Sequence, residues 1–254
     1  MSPNGTRLAG RTALVTGSTG GLGVAIASAL AAEGAFVVVS GRDEQRGDAV
    51  VADIRSRGGR AEFVAADIGT GEAEVRRLAG EATAAAGGQI DILVNNAAML
   101  LMPTPTADVS EPTLHDAFGV NVFAPFLLTG LVAPSMANRG SGAIINIGSI
   151  TGLRGGAGSA VYDANKAVMH SFTRSWAAEF GPAGVRVNAV APGPIATERQ
   201  AQFEEHVAPV LARIPSRRMS TPEEVAAAVV FLAGDDAANI HGATISVDGG
   251  WAAV

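Results

Sequence analysis

Short apolar runs rich in β-branched residues recur along the chain, each followed by a longer alanine-rich stretch with helical spacing. TALVT, AFVVVS, AEFVAAD, DILVNN, AIINIGS, VRVNAVAP and ATISVDGG predict seven strands. Strands alternating with helices predict βαβ units, and hence an α/β fold of the Rossmann type: a doubly wound parallel sheet with helices on both faces. The near-continuous apolarity of the runs suits strands buried on both sides. No proline-, serine- or charge-rich linker divides the chain and no solenoid-length repeat occurs, so residues 1–254 are expected to form one domain. The clearest late helix starts at STPEEVAAAVVFLA, with Thr221 as N-cap, Pro222 in the first turn and Glu224 completing a capping box. Residues 192–220 lack clear periodicity apart from the patch QFEEHVAPVLARI. They are expected to form a variable substrate loop that acts as a lid.

Between the first strand and its helix lies TGSTGGLG, with Gly17, Gly21 and Gly23 in a T-G-x-x-x-G-x-G arrangement. Glycines at such a turn allow tight curvature and close approach of a pyrophosphate, which then rests on the helix N-terminal amides. Thr16, Ser18 and Leu22 belong to the same turn. At the end of the second strand, VVVSGRDEQR places Gly41 where an acid that binds an adenosine ribose would stand, and Arg42 follows it. A guanidinium there can hold a 2′-phosphate, which favours NADP(H) over NAD(H). The alternative has Arg42 as a solvated loop residue and Asp43 meeting the ribose.

VYDANKAV holds the single tyrosine of the chain, Tyr162, and its single lysine, Lys166. On a helix, positions i and i+4 share a face, so the ammonium would lie beside the phenol and lower its pKa from near 10, making it a usable acid and base. The plain alternative is a structural tyrosine with a snorkelling lysine. Ser149, ending AIINIGS, would face the crevice at the strand's carboxyl end and could polarise a carbonyl oxygen, although a serine there is often only a cap.

Composition narrows the remaining classes. With 48% hydrophobic residues in 254, the chain can bury a sizeable core. A net charge of −6 argues against nucleic-acid and anionic-membrane partners. The absence of cysteine rules out disulfides and thiolate sites and fits a cytoplasmic location. His115, His170, His206 and His241 share no metal-ligand spacing, so no metal is expected. The opening MSPNGTRLAG lacks the layout of an export signal, and the apolar stretch 21–40 changes period part-way, as a helix followed by a strand.

Taken in order, these residues resemble the single-domain branch of the short-chain dehydrogenase/reductases, from about Arg11 to Trp251. The resemblance rests on the glycine turn at Thr16–Gly23, Asp67 after the third strand, NNAA at 95–98, Asn121 in GVNVF, Ser149, Y-x-x-x-K at Tyr162–Lys166, PGPIAT at 192–197 and the late VDGG. It implies a catalytic tetrad of Asn121, Ser149, Tyr162 and Lys166. Tyr162 would exchange a proton with the substrate oxygen that Ser149 holds. Lys166 would also bond the nicotinamide ribose, and Asn121 would keep a relay water in line. By the same resemblance Asp67 and Ile68 flank adenine, Asn95 supports the cleft beside Ala97, and Ile195 and Thr197, following Pro192 and Gly193, touch the carboxamide. Ala98 replaces a common glycine, so backbone approach there is expected to be slightly altered. Asp163 is less usual after the tyrosine; turned about 100° from it on a helix, it is expected to have only a secondary effect.

The expected activity is NADP(H)-dependent interconversion of a ketone and a secondary alcohol, with a non-catalytic nucleotide-binding sensor as the competing class. The Met99–Met102 run suits a partly hydrophobic substrate, or is plain core. A carrier-linked 3-oxoacyl chain is the runner-up substrate, kept open by Arg139, Arg154, Arg174, Arg217 and Arg218; sugars, steroids and polyketide-like ketones also remain open. The resemblance implies a homotetramer built on helices around 108–137 and 160–180 and the terminal strand.

Overall fold

The computed structural model describes residues 6–198 and 204–254. Its strands are β1 (Thr12–Thr16), β2 (Phe36–Gly41), β3 (Arg60–Ala65), β4 (Ile92–Asn95), β5 (Gly142–Ile147), β6 (Val185–Pro192) and β7 (Thr244–Val247). All pair in parallel, in the order β3-β2-β1-β4-β5-β6-β7. The order reverses between β1 and β4, and a crevice opens at the carboxyl ends of strands at such a point. Each apolar run of the sequence becomes a strand, with ends shifted by at most three residues.

The strand alternation sorts side chains to two cores. Ala13, Val15, Val37, Val39, Ile92 and Val94 face one side, where α1 (Gly21–Ala32), α2 (Glu44–Ser56) and α8 (Pro222–Ala233) cover them. Leu14, Val38, Leu93, Ile144 and Val187 face the other, under α3 (Glu72–Ala85), α5 (Ala124–Arg139) and α6 (Ala160–Phe180). Period two in a strand buried on both faces requires apolar residues at every position, which is why the runs are unbroken.

The start of α8 carries the capping box read from the sequence, with Thr221 and Glu224 reciprocally bonded. Its end is held by Arg186 of β6, whose guanidinium donates to the carbonyls of Leu232, Ala233, Gly234 and Ala237. Those of Leu232, Ala233 and Gly234 are carbonyls that the helix C-terminus leaves without partners, and Ala237 belongs to the 3-10 turn that follows.

The loop expected over 192–220 is pinned at both ends. Ser220 N donates to Pro194 O at 3.0 Å, and Ala196 N donates to Ser220 O at 2.9 Å. Within the loop, α7 (Glu204–Leu211) forms at the helical patch; the part of the expected lid at 199–203 lies outside the described residues.

The membrane question posed by 21–40 arises instead at 111–139. There α4 (Glu111–Phe118), a π turn at Gly119–Phe123 and α5 make one run with a peak mean hydropathy of 1.6. Half of that window is buried inside the fold, as in a core helix.

Candidate active site

The glycine turn leads from β1 into α1 and is closed from behind by the loop after β4. A Cβ placed on Gly23 would stand 2.2 Å from Gly17 O, and one on Gly17 would stand 2.7 Å from Ala97 Cα, so neither position has room for a side chain. Asn96 locks the arrangement by donating to Thr16 O at 2.9 Å and Gly17 O at 3.1 Å. Thr16 Oγ1 accepts from the amides of Asn96 and Ala97, both at 3.1 Å. Ser18, fully buried, donates to Val15 O and accepts from Ser40 N, so its side chain braces β1 against β2. The N-cap of α1 is Gly20, which makes no side-chain cap bond, and the first turn contains no acid. Its leading amides and the positive end of the helix dipole are therefore suited to an anion, and a nucleotide pyrophosphate fits this turn. Leu22 is half-buried and packs on the core beneath α1, while Thr197 faces Gly21 from across the cleft.

At the end of β2, a Cβ on Gly41 would stand 2.6 Å from Thr19 Oγ1, so an acidic side chain there would require Thr19 to move. Arg42 projects into solvent with its side chain 77% exposed and pairs loosely with Asp67 at 3.8 Å. Asp43, the alternative ribose ligand, is used elsewhere: its carboxylate caps α2 by accepting from Arg46 N at 3.0 Å. Asp67 also caps a short 3-10 turn beginning at Ile68.

Tyr162 and Lys166 lie one turn apart on α6. Lys166 Nζ is 5.7 Å from the centroid of the Tyr162 ring and donates to Ile147 O, at the end of β5, at 2.9 Å. Burial pushes the lysine down to about 8, because a charged amine loses its hydration there. At neutral pH it is still mostly ammonium. Ser149 follows β5 and caps the 3-10 turn Ile150–Leu153, its Oγ accepting from Thr151 N and Thr151 Oγ1. The Ser149 carbonyl meets His170 Nε2 at 2.9 Å, one turn beyond Lys166 on the same helix.

Asn121 sits in the π turn, a distortion common at functional sites. Its side-chain oxygen accepts from Met99 N at 2.7 Å and its amide donates to Met99 O at 3.0 Å. The side chain therefore fixes the loop after β4. A void of about 10 Å³ is lined by Asn121, Lys166, Asn95, Thr16 and Ile68, so residues from five segments converge on one point. Asn95 itself bridges Thr129 on α5 and Asn146 on β5. Pro192 closes β6, Gly193 pairs with Val247 O, and Ile195 bridges to Ser220.

A family model described as enoyl-(acyl carrier protein) reductase matches residues 17–252. A solved structure described as a short chain dehydrogenase/reductase family protein superposes with a TM-score of 0.89 at 43% identity, covering 98% of this chain and all of the other. The chain belongs to the short-chain dehydrogenase/reductase family. It is accordingly a nicotinamide-dependent oxidoreductase acting on alcohol and ketone groups. Among its curated relatives, a cyclopentanol dehydrogenase of Comamonas testosteroni is 38% identical over 97% of this chain and 99% of its own. A 3-oxoacyl-[acyl-carrier-protein] reductase of Synechocystis sp. is 41% identical over 96% and 98%. A blue fluorescent protein in complex with NADPH matches with a TM-score of 0.91 at 34% identity, covering 97% and 100%.

In this dehydrogenase/reductase, Asp163 is drawn into the structure beside the tyrosine. It is buried, and its Oδ2 accepts from Gly156 N at 3.1 Å, which ties the loop after β5 to α6 beside Tyr162. Burial raises its pKa, with hydrogen bonds from Thr151 and Gly156 opposing the rise. The carboxylate's position next to the tyrosine was visible in the sequence, but its partner Gly156 comes from loop closure. Asn96 and His170 carried no separate signal: one stood inside NNAA and the other resembled any scattered histidine.

Proposed function

We propose that the protein is an NADP(H)-dependent ketone reductase and secondary-alcohol dehydrogenase, with Tyr162 as general acid and base. The observation that carries this reading is the buried Lys166 ammonium next to the Tyr162 ring. A phenol near pKa 10 gives up its proton too slowly at neutral pH, and a cation in a low-dielectric setting stabilises its phenolate. Tyr162 then donates a proton to the carbonyl oxygen in reduction and accepts it from the hydroxyl in oxidation, while Ser149 Oγ orients that oxygen. Lys166 holds the charge and reaches the nicotinamide ribose. Asn121 fixes the Met99 loop, and the 10 Å³ void it shares with Lys166 is about the size of one water, as a proton relay to solvent requires. The nicotinamide nucleotide supplies the hydride when bound at the glycine turn.

The NADP(H) preference is supported by the lack of an acid at Gly41, the commitment of Asp43 to capping, and the exposed guanidinium of Arg42. Homotetramer assembly through α5 and α6 is supported by Phe123 and Phe126, 55% and 51% exposed, with Phe126 packed against Phe172 and Trp176. The test of the reaction is NADPH oxidation with a panel of ketones. Tyr162→Phe is expected to retain NADPH binding and lose at least about a thousandfold in kcat, the scale of losing a positioned acid. A Phe variant that turns over like the wild type rules out this mechanism.

A second reading, reduction of a carrier-linked 3-oxoacyl chain, is favoured by the 41% identity to the Synechocystis enzyme. Against it, three of the arginines that would dock an acidic carrier are engaged within the fold: Arg139 with Ile90 O, Arg154 with Trp251 O and Val254 O, and Arg218 with Glu224.

A further inference from the structure

Between the loop after β4 and the first turn of α6 lies a cavity of about 220 Å³ with Tyr162 in its wall. Leu101, Met102 and Leu114 supply apolar surface, and Met102 and Leu114 are 50% and 38% exposed, leaving their side chains open to an occupant. Hydroxyls of Thr104, Thr106 and Ser159 can serve uncharged polar groups. Asp108 is the one charged side chain among the described residues of the wall, which include no Arg, Lys or His. Arg154, the cation that follows the Ser149 turn, lies over the Trp251 ring and is bonded to carbonyls near the chain end.

The wall thus treats neutral and anionic molecules differently. A carboxylate or phosphate entering it would lose water, find no cation and meet Asp108, whereas a neutral ketone would lose little. A void of about 150 Å³ takes benzene, so this cavity has room for one ring with a short substituent. Thr104 N donates to Gly158 O at 2.7 Å, joining the two loops that form the wall.

We infer that this cavity selects uncharged single-ring or similarly sized ketones and alcohols, and that Asp108 is the residue that excludes anionic ones. The inference rests on the reading of Tyr162 as the acid and base at this cavity.

The test is ligand-observed NMR titration of the protein saturated with NADP⁺, using cyclohexanone and 4-oxocyclohexanecarboxylate as a matched pair. Cyclohexanone is expected to bind at least about tenfold more tightly, a difference of about 1.4 kcal/mol. Asp108→Asn narrows the gap and Asp108→Arg reverses it. Equal or tighter binding of the keto acid by the wild type, no binding of cyclohexanone, or an unchanged ratio in both variants overturns the inference. Turnover of the same pair is scored separately. Selective binding without turnover leaves the selectivity of the cavity standing and counts against Tyr162 as acid and base.

Discussion

Lys166 Nζ stands 5.7 Å from the centroid of the Tyr162 ring and is held there by the carbonyl of Ile147 at 2.9 Å. One helical turn brings the residues together, and the end of β5 keeps the ammonium from swinging away. The contact with strand carbonyl, helix and cleft buries the lysine fully, which is why its pKa falls to about 8 from 10.5.

The pH dependence of stability follows from that shift. Below pH 8 the ammonium is charged in both the folded and unfolded states, and the folded state carries its full desolvation cost, on the order of 3 kcal/mol. Between pH 8 and 10.5 the unfolded chain binds more protons at this site, so the contribution to stability rises with pH. Denaturant titrations of the nucleotide-free protein at pH 7.5, 8.5 and 9.5 are expected to show this rise, and Lys166→Met to lack it. A parallel slope in wild type and variant would mean that the lysine is solvated.

In the proposed reading, Arg42 decides between the two nicotinamide nucleotides. Arg42→Ala is expected to weaken NADPH binding by about 10- to 100-fold, as loss of charge-assisted bonds to a phosphate does, and to leave NADH binding within about twofold. Fluorescence titration with both nucleotides reads the ratio directly; equal losses for the two would remove Arg42 from the 2′-phosphate site.

Asp163 positions the loop that carries Ser149 and Thr151. Asp163→Ala, which leaves Gly156 N without its acceptor, is expected to lower kcat/KM about tenfold while nucleotide affinity stays unchanged. Asp163→Asn keeps an acceptor and removes a buried charge. Because burial raises the pKa of Asp163, its charge opposes folding as pH rises past the ordinary carboxylate value. The Asn variant is therefore expected to match or exceed the wild type in stability at pH 7 and to lose that advantage at low pH, where the wild-type carboxyl is protonated and neutral. Thermal unfolding at pH 4 and 7 checks this.

Arg186 closes the C-terminal end of α8 through three carbonyls and the turn after it through a fourth. Arg186→Met is expected to cost about 2–4 kcal/mol, or roughly 5–15 °C in Tm, without changing the KM for nucleotide. A shift below about 2 °C would show that water replaces the guanidinium at no loss.

The repeating pattern determined the strands, the alternation of strand and helix, and the capping box at Thr221 and Glu224, because each depends on residues close together in sequence. Spacing alone also placed Tyr162 beside Lys166, since helical geometry fixes neighbours at i+4. Several features depend on distant segments closing against one another, and no local pattern encodes that. Asn121 spends its side chain on Met99, and Ser18 braces two strands. The charge of the cavity is of the same kind: Asp108 and Ser159 lie far apart along the chain and share a wall only because the loop after β4 folds over the start of α6.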